Sequence, residues 1–99
     1  MKIDVTQELL GLDDTPIMDG DAATTLRDVL IGALTQLPRG ETPDGAVSVK
    51  KFNLALSIQK QDTVDLSVEE AQLLMDLTGK MYMPLISGRV WHILDPTTM

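Results

Sequence analysis

The stretch TLRDVLIGALTQL, residues 25–37, decides the fold class of this 99-residue chain. Its apolar residues recur at intervals of three and four, which places them on one face of an α-helix. They are Leu26, Val29, Leu30, Ala33, Leu34 and Leu37. Thr25 and Asp28 have the spacing of a capping box, in which each side chain bonds a backbone N–H at the helix start. The sequence therefore predicts an amphipathic helix over 25–37, ended by Pro38 and Gly40.

Three further stretches are predicted to be helical: residues 49–60, 67–81 and 84–94. Ser67 and Glu70 repeat the capping-box spacing at the start of the second of these helices. On the first, five apolar residues are expected to face the core. They are Phe52, Leu54, Ala55, Leu56 and Ile58. These assignments make helices the main component of the core.

The last of these helices has clear boundary signals at both ends. Pro84 suits a first helical position, because a proline there gives up no intrahelical hydrogen bond. Asp95 and Pro96 are expected to end the helix after residue 94.

The rest of the chain is predicted to be extended or loop. Residues 1–21 start with Ile3 and Val5 alternating with polar residues, the period of a strand, and contain turn residues at 11–16 and 19–21. Residues 38–46 hold two prolines and two glycines and are expected to form a flexible loop. The predicted fold is mainly α within the α+β class. A short N-terminal β-hairpin or pair of strands packs on about four helices, in a single domain over residues 1–99.

Charge and composition narrow the classes of function. The net charge is −7, and residues 1–28 alone contain seven acidic residues against two basic ones. The other basic residues are dispersed, whereas a nucleic-acid-binding protein needs a basic patch, so direct nucleic-acid binding is not expected. The chain has no cysteine, which excludes disulfides and thiolate chemistry. With no apolar run near 20 residues long, we expect no membrane insertion.

The acidic residues Asp13, Asp14, Asp19 and Asp21 are the first candidates for a binding surface. They lack the spacing of a calcium-binding loop, so neither a metal nor a cofactor is predicted. We expect a solvated acidic surface that meets a basic partner. Whether the four acids line one face is left open by the sequence.

The stretch YMPLISGRVWHIL, residues 82–94, contains the only tryptophan, histidine and tyrosine of the chain. Trp91 is interpreted as a residue of the core or its boundary, and a role as an exposed partner-binding anchor is the alternative. His92 has no identifiable nucleophile to serve, so a structural role is expected rather than catalysis. No catalytic residue is predicted, and we do not expect an enzyme.

Three segments carry a resemblance to a known family. They are TLRDVLIGAL (25–34), KKFNLALSIQK (50–60) and VDLSVEEAQLLMDLTGKMYMPLISGRVWHILD (64–95). In the spacing of its apolar residues and caps the chain resembles a family of small, mostly uncharacterised proteins of tailed bacteriophages and prophages. The resemblance implies a phage or prophage origin and the cytoplasm of a bacterial host. It implies no catalytic residues.

Together these features favour a non-enzymatic phage accessory protein that acts by protein–protein interaction. The partner would be a phage or host protein, and the role would be in virion assembly or in modulation of the host. Association of the chain with itself as a homo-oligomer is also compatible with this interpretation. The alternative is an acidic inhibitor that mimics nucleic acid and occupies a DNA-binding protein of the host.

Overall fold

Four helices and four short strands make up the regular structure of residues 1–95, the part of the chain that the computed structural model describes. The strands are β1 (Lys2–Asp4), β2 (Met18–Asp19), β3 (Ala22–Ala23) and β4 (Thr63–Asp65). The helices are α1 (Leu26–Thr35), α2 (Gly45–Lys60), α3 (Val68–Met81) and α4 (Pro84–Leu94). The predicted α+β class is confirmed. The stop signal expected at Pro96 lies outside the described residues.

Both predicted capping boxes are present. The Thr25 hydroxyl accepts from the backbone N–H of Asp28 at 3.3 Å, and the Asp28 carboxylate accepts from the N–H of Thr25 at 3.1 Å. Ser67 and Glu70 make the same reciprocal pair at 3.1 and 2.9 Å. Because the capping residues themselves have extended backbones, α1 and α3 begin one residue later than predicted. The end of α1 also differs, since Gln36 is already extended.

The predicted loop over residues 38–46 is wrong at its C-terminal end. Gly45 is already helical, so α2 begins four residues before the predicted position. The reason is Asp44, whose carboxylate accepts a hydrogen bond from the backbone N–H of Val47 at 3.2 Å and so caps the helix. This cap offsets the weak helix propensity of Gly45, which directly follows Asp44.

The strands pair in two separate antiparallel ribbons. Strand β1 pairs with β4, with Ile3 opposite Val64, which brings the chain start against the α2–α3 connection. Strands β2 and β3 form a short hairpin whose turn contains Gly20 in the left-handed region, at φ 66°. The predicted short strands are present near the N-terminus, but they do not pair with each other: β1 pairs with β4, and β2 forms its hairpin with β3, which lies beyond the predicted segment 1–21.

The core is formed by α1 together with side chains from the N-terminal segment and from α2, α3 and α4. Its fully buried large side chains include Leu9, Leu26, Leu30, Ile58, Leu66, Leu74 and Leu94. The prediction that Phe52 and Leu56 face this core is wrong, because both are exposed, and Leu37 after α1 is exposed as well. Apolar residues occupy more than one row of α2, and packing against α1 selects the row of Leu54 and Ile58.

Candidate partner-binding surface

The chain reverses direction over residues 10–16 in a turn held by several hydrogen bonds. The backbone N–H of Gly11 donates to the carbonyl of Thr15 at 2.8 Å, and the N–H of Asp14 donates to the carbonyl of Gly11 at 3.1 Å. Asp14 has a φ of 62°, a left-handed backbone that aspartate tolerates better than most residues. On either side, Leu10 and Pro16 form an antiparallel bridge. The turn at this position, predicted from sequence, is thus a defined structure.

Asp13 stabilises the turn from within. Its carboxylate accepts hydrogen bonds from the Thr15 hydroxyl at 2.7 Å and from the Thr15 backbone N–H at 3.3 Å. These two hydrogen bonds hold the pKa of Asp13 below its ordinary value, the hydroxyl having the larger effect. A lowered pKa means that the stabilisation is present when Asp13 is ionised and is lost as the pH falls through that pKa. The predicted solvated acid therefore has a local structural role too.

Helix α4 braces this turn through Arg89. The guanidinium Nε donates to the carbonyl of Leu10 and Nη2 donates to the carbonyl of Gly11, both at 2.9 Å. Nη2 also lies 3.8 Å from the Asp14 carboxylate, a long and solvent-screened ion pair. This role of Arg89 was not predicted from the sequence. The available signal was that Arg89 is the one charged residue, histidine aside, in the otherwise apolar stretch 82–94.

The braced turn presents Leu12 to solvent. The side chain of Leu12 is 93% exposed, the most exposed large apolar residue within residues 1–95. Its neighbours Gly11 and Asp13 are fixed by the hydrogen bonds described above, so the leucine stands on an ordered backbone. The acids that follow this position were predicted from the sequence as a binding surface, whereas Leu12, which directly precedes Asp13, was not.

The exposed surface of Leu12 continues onto α4. A shallow groove of about 180 Å³ lies between Leu12 and the outer face of that helix, where Leu85, Arg89 and His92 line it. Leu85 and His92 are both exposed. Together Leu12, Leu85, Arg89 and His92 are referred to below as the Leu12 surface. It combines two apolar side chains with a guanidinium and an imidazole, and it lies next to the acids of the turn.

Trp91 lies on another side of α4 and contacts α3. Its indole N–H donates to the backbone carbonyl of Met75 at 2.9 Å, and the ring packs beside Gly79. The side chain is half-buried against the core, as expected for a residue at the core boundary. Its exposed edge also lines a groove with Gly88 and His92, so contact between Trp91 and a partner remains a prediction.

The four predicted acids fall on two different turns. Asp13 and Asp14 belong to the turn beside α4, whereas Asp19 and Asp21 flank Gly20 in the β2–β3 hairpin. All four are exposed. The two pairs therefore lie in different turns, and in the first of them Asp14 is 3.8 Å from the Arg89 guanidinium of α4.

Comparisons with protein-family models, with curated proteins and with solved structures found no match to this chain. Within residues 1–95, no set of three or more histidine, aspartate or glutamate side chains is arranged to hold a metal ion. In the same range no helix has the length and apolar character needed to cross a membrane.

Proposed function

We propose that this protein is a small non-enzymatic accessory protein of a phage or prophage that acts by binding another protein through the Leu12 surface. The observation that carries the proposal is the near-complete exposure of Leu12 on a hydrogen-bonded turn. An ordered turn loses little conformational entropy when it binds, and this raises the affinity without additional contacts. Burial of Leu12 by a partner would contribute about 1.5–3 kcal/mol.

The charges around Leu12 indicate what kind of partner suits this surface. Asp13 and Asp14 directly follow Leu12 in the turn and are both exposed, and the N-terminal segment around them is strongly acidic. Complementary charge speeds association and excludes acidic competitors. The favoured partner is a phage or host protein with an apolar pocket bordered by lysine or arginine.

The biological setting follows from the family resemblance of the sequence. That resemblance supports a phage or prophage gene and action in the cytoplasm of the bacterial host. A binding surface without catalytic chemistry suits either virion assembly or modulation of a host protein. Gene neighbourhood separates the two, because structural genes favour assembly and early genes favour host modulation.

A second candidate is an acidic inhibitor that mimics nucleic acid. The exposure of Asp13, Asp19 and Asp21 favours it. The two candidates respond oppositely to a charge introduced at Leu12. Leu12→Glu removes an apolar anchor and should abolish leucine-mediated binding, whereas it adds a negative charge to a mimic and should leave or strengthen its binding to a basic protein.

Site-specific photo-crosslinking in the native bacterial host tests the proposal. A photoreactive residue is placed at position 12 and, in a matched control, at Val68, an apolar residue that is 79% exposed on α3. We expect position 12 to give a discrete adduct with one protein, which mass spectrometry identifies, and position 68 to give none. The same adducts from both positions, or none from position 12, would contradict the proposal.

A further inference from the structure

Helix α2 carries a second apolar stripe, separate from the row that packs in the core. Val49, Phe52 and Leu56 have the i, i+3, i+7 spacing of one helix face, and all three are exposed. Phe52 is 58% exposed and is the only phenylalanine in the chain. Within residues 1–95 no element covers this stripe, which leaves a contiguous apolar face towards solvent.

The charge of α2 is the opposite of that of the N-terminal segment. The helix contains Lys50, Lys51 and Lys60 and no acidic residue. Among residues 1–95, none of these lysines makes an ion pair, although the basic side chains of Arg27, Lys80 and Arg89 do. Helix α2 is therefore a basic helix on a chain whose net charge is −7. Lys51 lies on the side of Phe52, whereas Lys50 lines a separate groove with Glu69 and Glu70.

A cleft opens beside the stripe, between the end of α1 and α2. It has a volume of about 300 Å³, and Leu34, Leu37, Pro43 and Phe52 form its apolar walls. The side chain of Lys51 lies at its edge, with the stem buried against the core. An open apolar cleft bordered by a lysine matches the partner that the Leu12 surface favours.

From this match we infer that the occupant of the α2 cleft is the Leu12 turn of a second copy of the same chain. Leu12 of one copy would enter the cleft beside Phe52 of the next, with Asp13 and Asp14 set against Lys51 at the edge of the cleft. The inference rests on the proposed function, because it names a partner for the same Leu12 surface. It also assigns a role to the α2 stripe, which that function leaves unexplained.

Charge selects this head-to-tail arrangement over a symmetric pairing of two α2 helices. A symmetric pair would bring the Lys51 edge of one α2 against that of another, with no acidic residue on either helix, and like charges at an interface oppose association. In the head-to-tail contact the acidic turn of one copy meets the basic helix of another. Such a contact uses two different surfaces of each copy, so it can repeat to form a ring or a filament.

Sedimentation velocity of the full chain, from micromolar to millimolar concentration, tests the inference. Leu12→Glu and Phe52→Glu each remove one side of the contact, and Val68→Glu is a control at an exposed apolar position elsewhere. We expect the wild type and Val68→Glu to associate further as concentration rises, and the other two variants to stay monomeric. An equimolar mixture of those two should form dimers and nothing larger, because only one contact can be made.

Several results would overturn the inference. A wild type that stays monomeric to millimolar concentration would do so, as would loss of association in Val68→Glu. Loss in Phe52→Glu alone, with Leu12→Glu unaffected, would indicate a symmetric α2 pair instead. Circular dichroism melts check that each variant is folded, and Leu12→Ser and Phe52→Ser replace any that is not. A monomer that still crosslinks to another protein from position 12 would refute self-association and leave the proposed function standing.

Discussion

The indole N–H of Trp91 donates a 2.9 Å hydrogen bond to the backbone carbonyl of Met75 and so joins α4 to the middle of α3. The hydroxyl of Thr78 donates to the same carbonyl at 3.1 Å. Removal of the indole therefore leaves this carbonyl with another donor, and the loss is limited to one hydrogen bond and the packing of the ring.

Substitutions of Trp91 should separate these two contributions. Trp91→Phe removes the hydrogen bond and should lower the free energy of unfolding by about 1 kcal/mol. Trp91→Ala also removes the half-buried ring and should cost about 2–4 kcal/mol, less than the loss for a fully buried aromatic residue. Urea unfolding measures both. Equal losses in the two variants would show that the ring contributes no packing against α3.

Gly32 and Tyr82 should be energetically coupled. A Cβ added at Gly32 would lie inside the contact distance of the Tyr82 hydroxyl, whereas the ring carbon Cζ would be at an ordinary 3.6 Å. Gly32→Ala should therefore destabilise the wild type by about 1–2 kcal/mol, because the half-buried ring must move. In a Tyr82→Phe background the same change should stabilise α1 by about 0.5–1 kcal/mol, the usual helix preference for alanine. A double-mutant cycle with no coupling would contradict this contact.

Truncation of the core should be costly at the centres of α1 and α3. Leu30 and Leu74 are fully buried, so each substitution by alanine should lower the free energy of unfolding by about 2–5 kcal/mol. Val68→Ala is the matched control on an exposed position and should change it by less than about 0.5 kcal/mol. Values for Leu30→Ala or Leu74→Ala as small as the control would place these residues outside the core.

Loss of Arg89 should loosen the turn over residues 11–15 while the helices stay folded. Arg89→Met keeps the apolar stem and removes both hydrogen bonds to Leu10 and Gly11, at a cost of about 1–3 kcal/mol. Arg89→Lys should restore little, because an ammonium group lacks the planar fork of donors that reaches two carbonyls. Amide hydrogen exchange should accelerate at Gly11 and Asp14 in both variants. Unchanged protection of those two amides would show that Arg89 does not brace the turn.

The local signals in the sequence predicted much of the fold. The capping boxes at Thr25 and Ser67 and the proline at position 84 located three helix starts to within one residue. Such signals depend on contacts within four residues, which a sequence displays directly. The start of α2 was placed four residues late, because Asp44 follows two prolines and resembles a loop residue until its bond to Val47 is seen.

Contacts between residues that are far apart in the chain could not be predicted from the sequence. Alternation marks Ile3 as part of a strand but does not identify Val64 as its partner, since the two are brought together by the helices between them. For the same reason the apolar pattern of α2 did not reveal which row is buried, and Phe52 was placed in the core. At the candidate site the acids were recognised by composition, whereas the roles of Leu12 and Arg89 depend on the docking of α4 against the turn.

Leu12 stands on a turn that is already ordered before any partner binds. Backbone ¹⁵N relaxation of the monomeric protein at Leu12, Asp13 and Asp14 tests it most directly, with the helix amides of α1 as the internal reference. We predict order parameters near those of the helix, about 0.85, in the wild type and a clear decrease in Arg89→Met. Order parameters below about 0.6 at Leu12 and Asp14 in the wild type would contradict the account, because a mobile turn offers no ready-made binding surface.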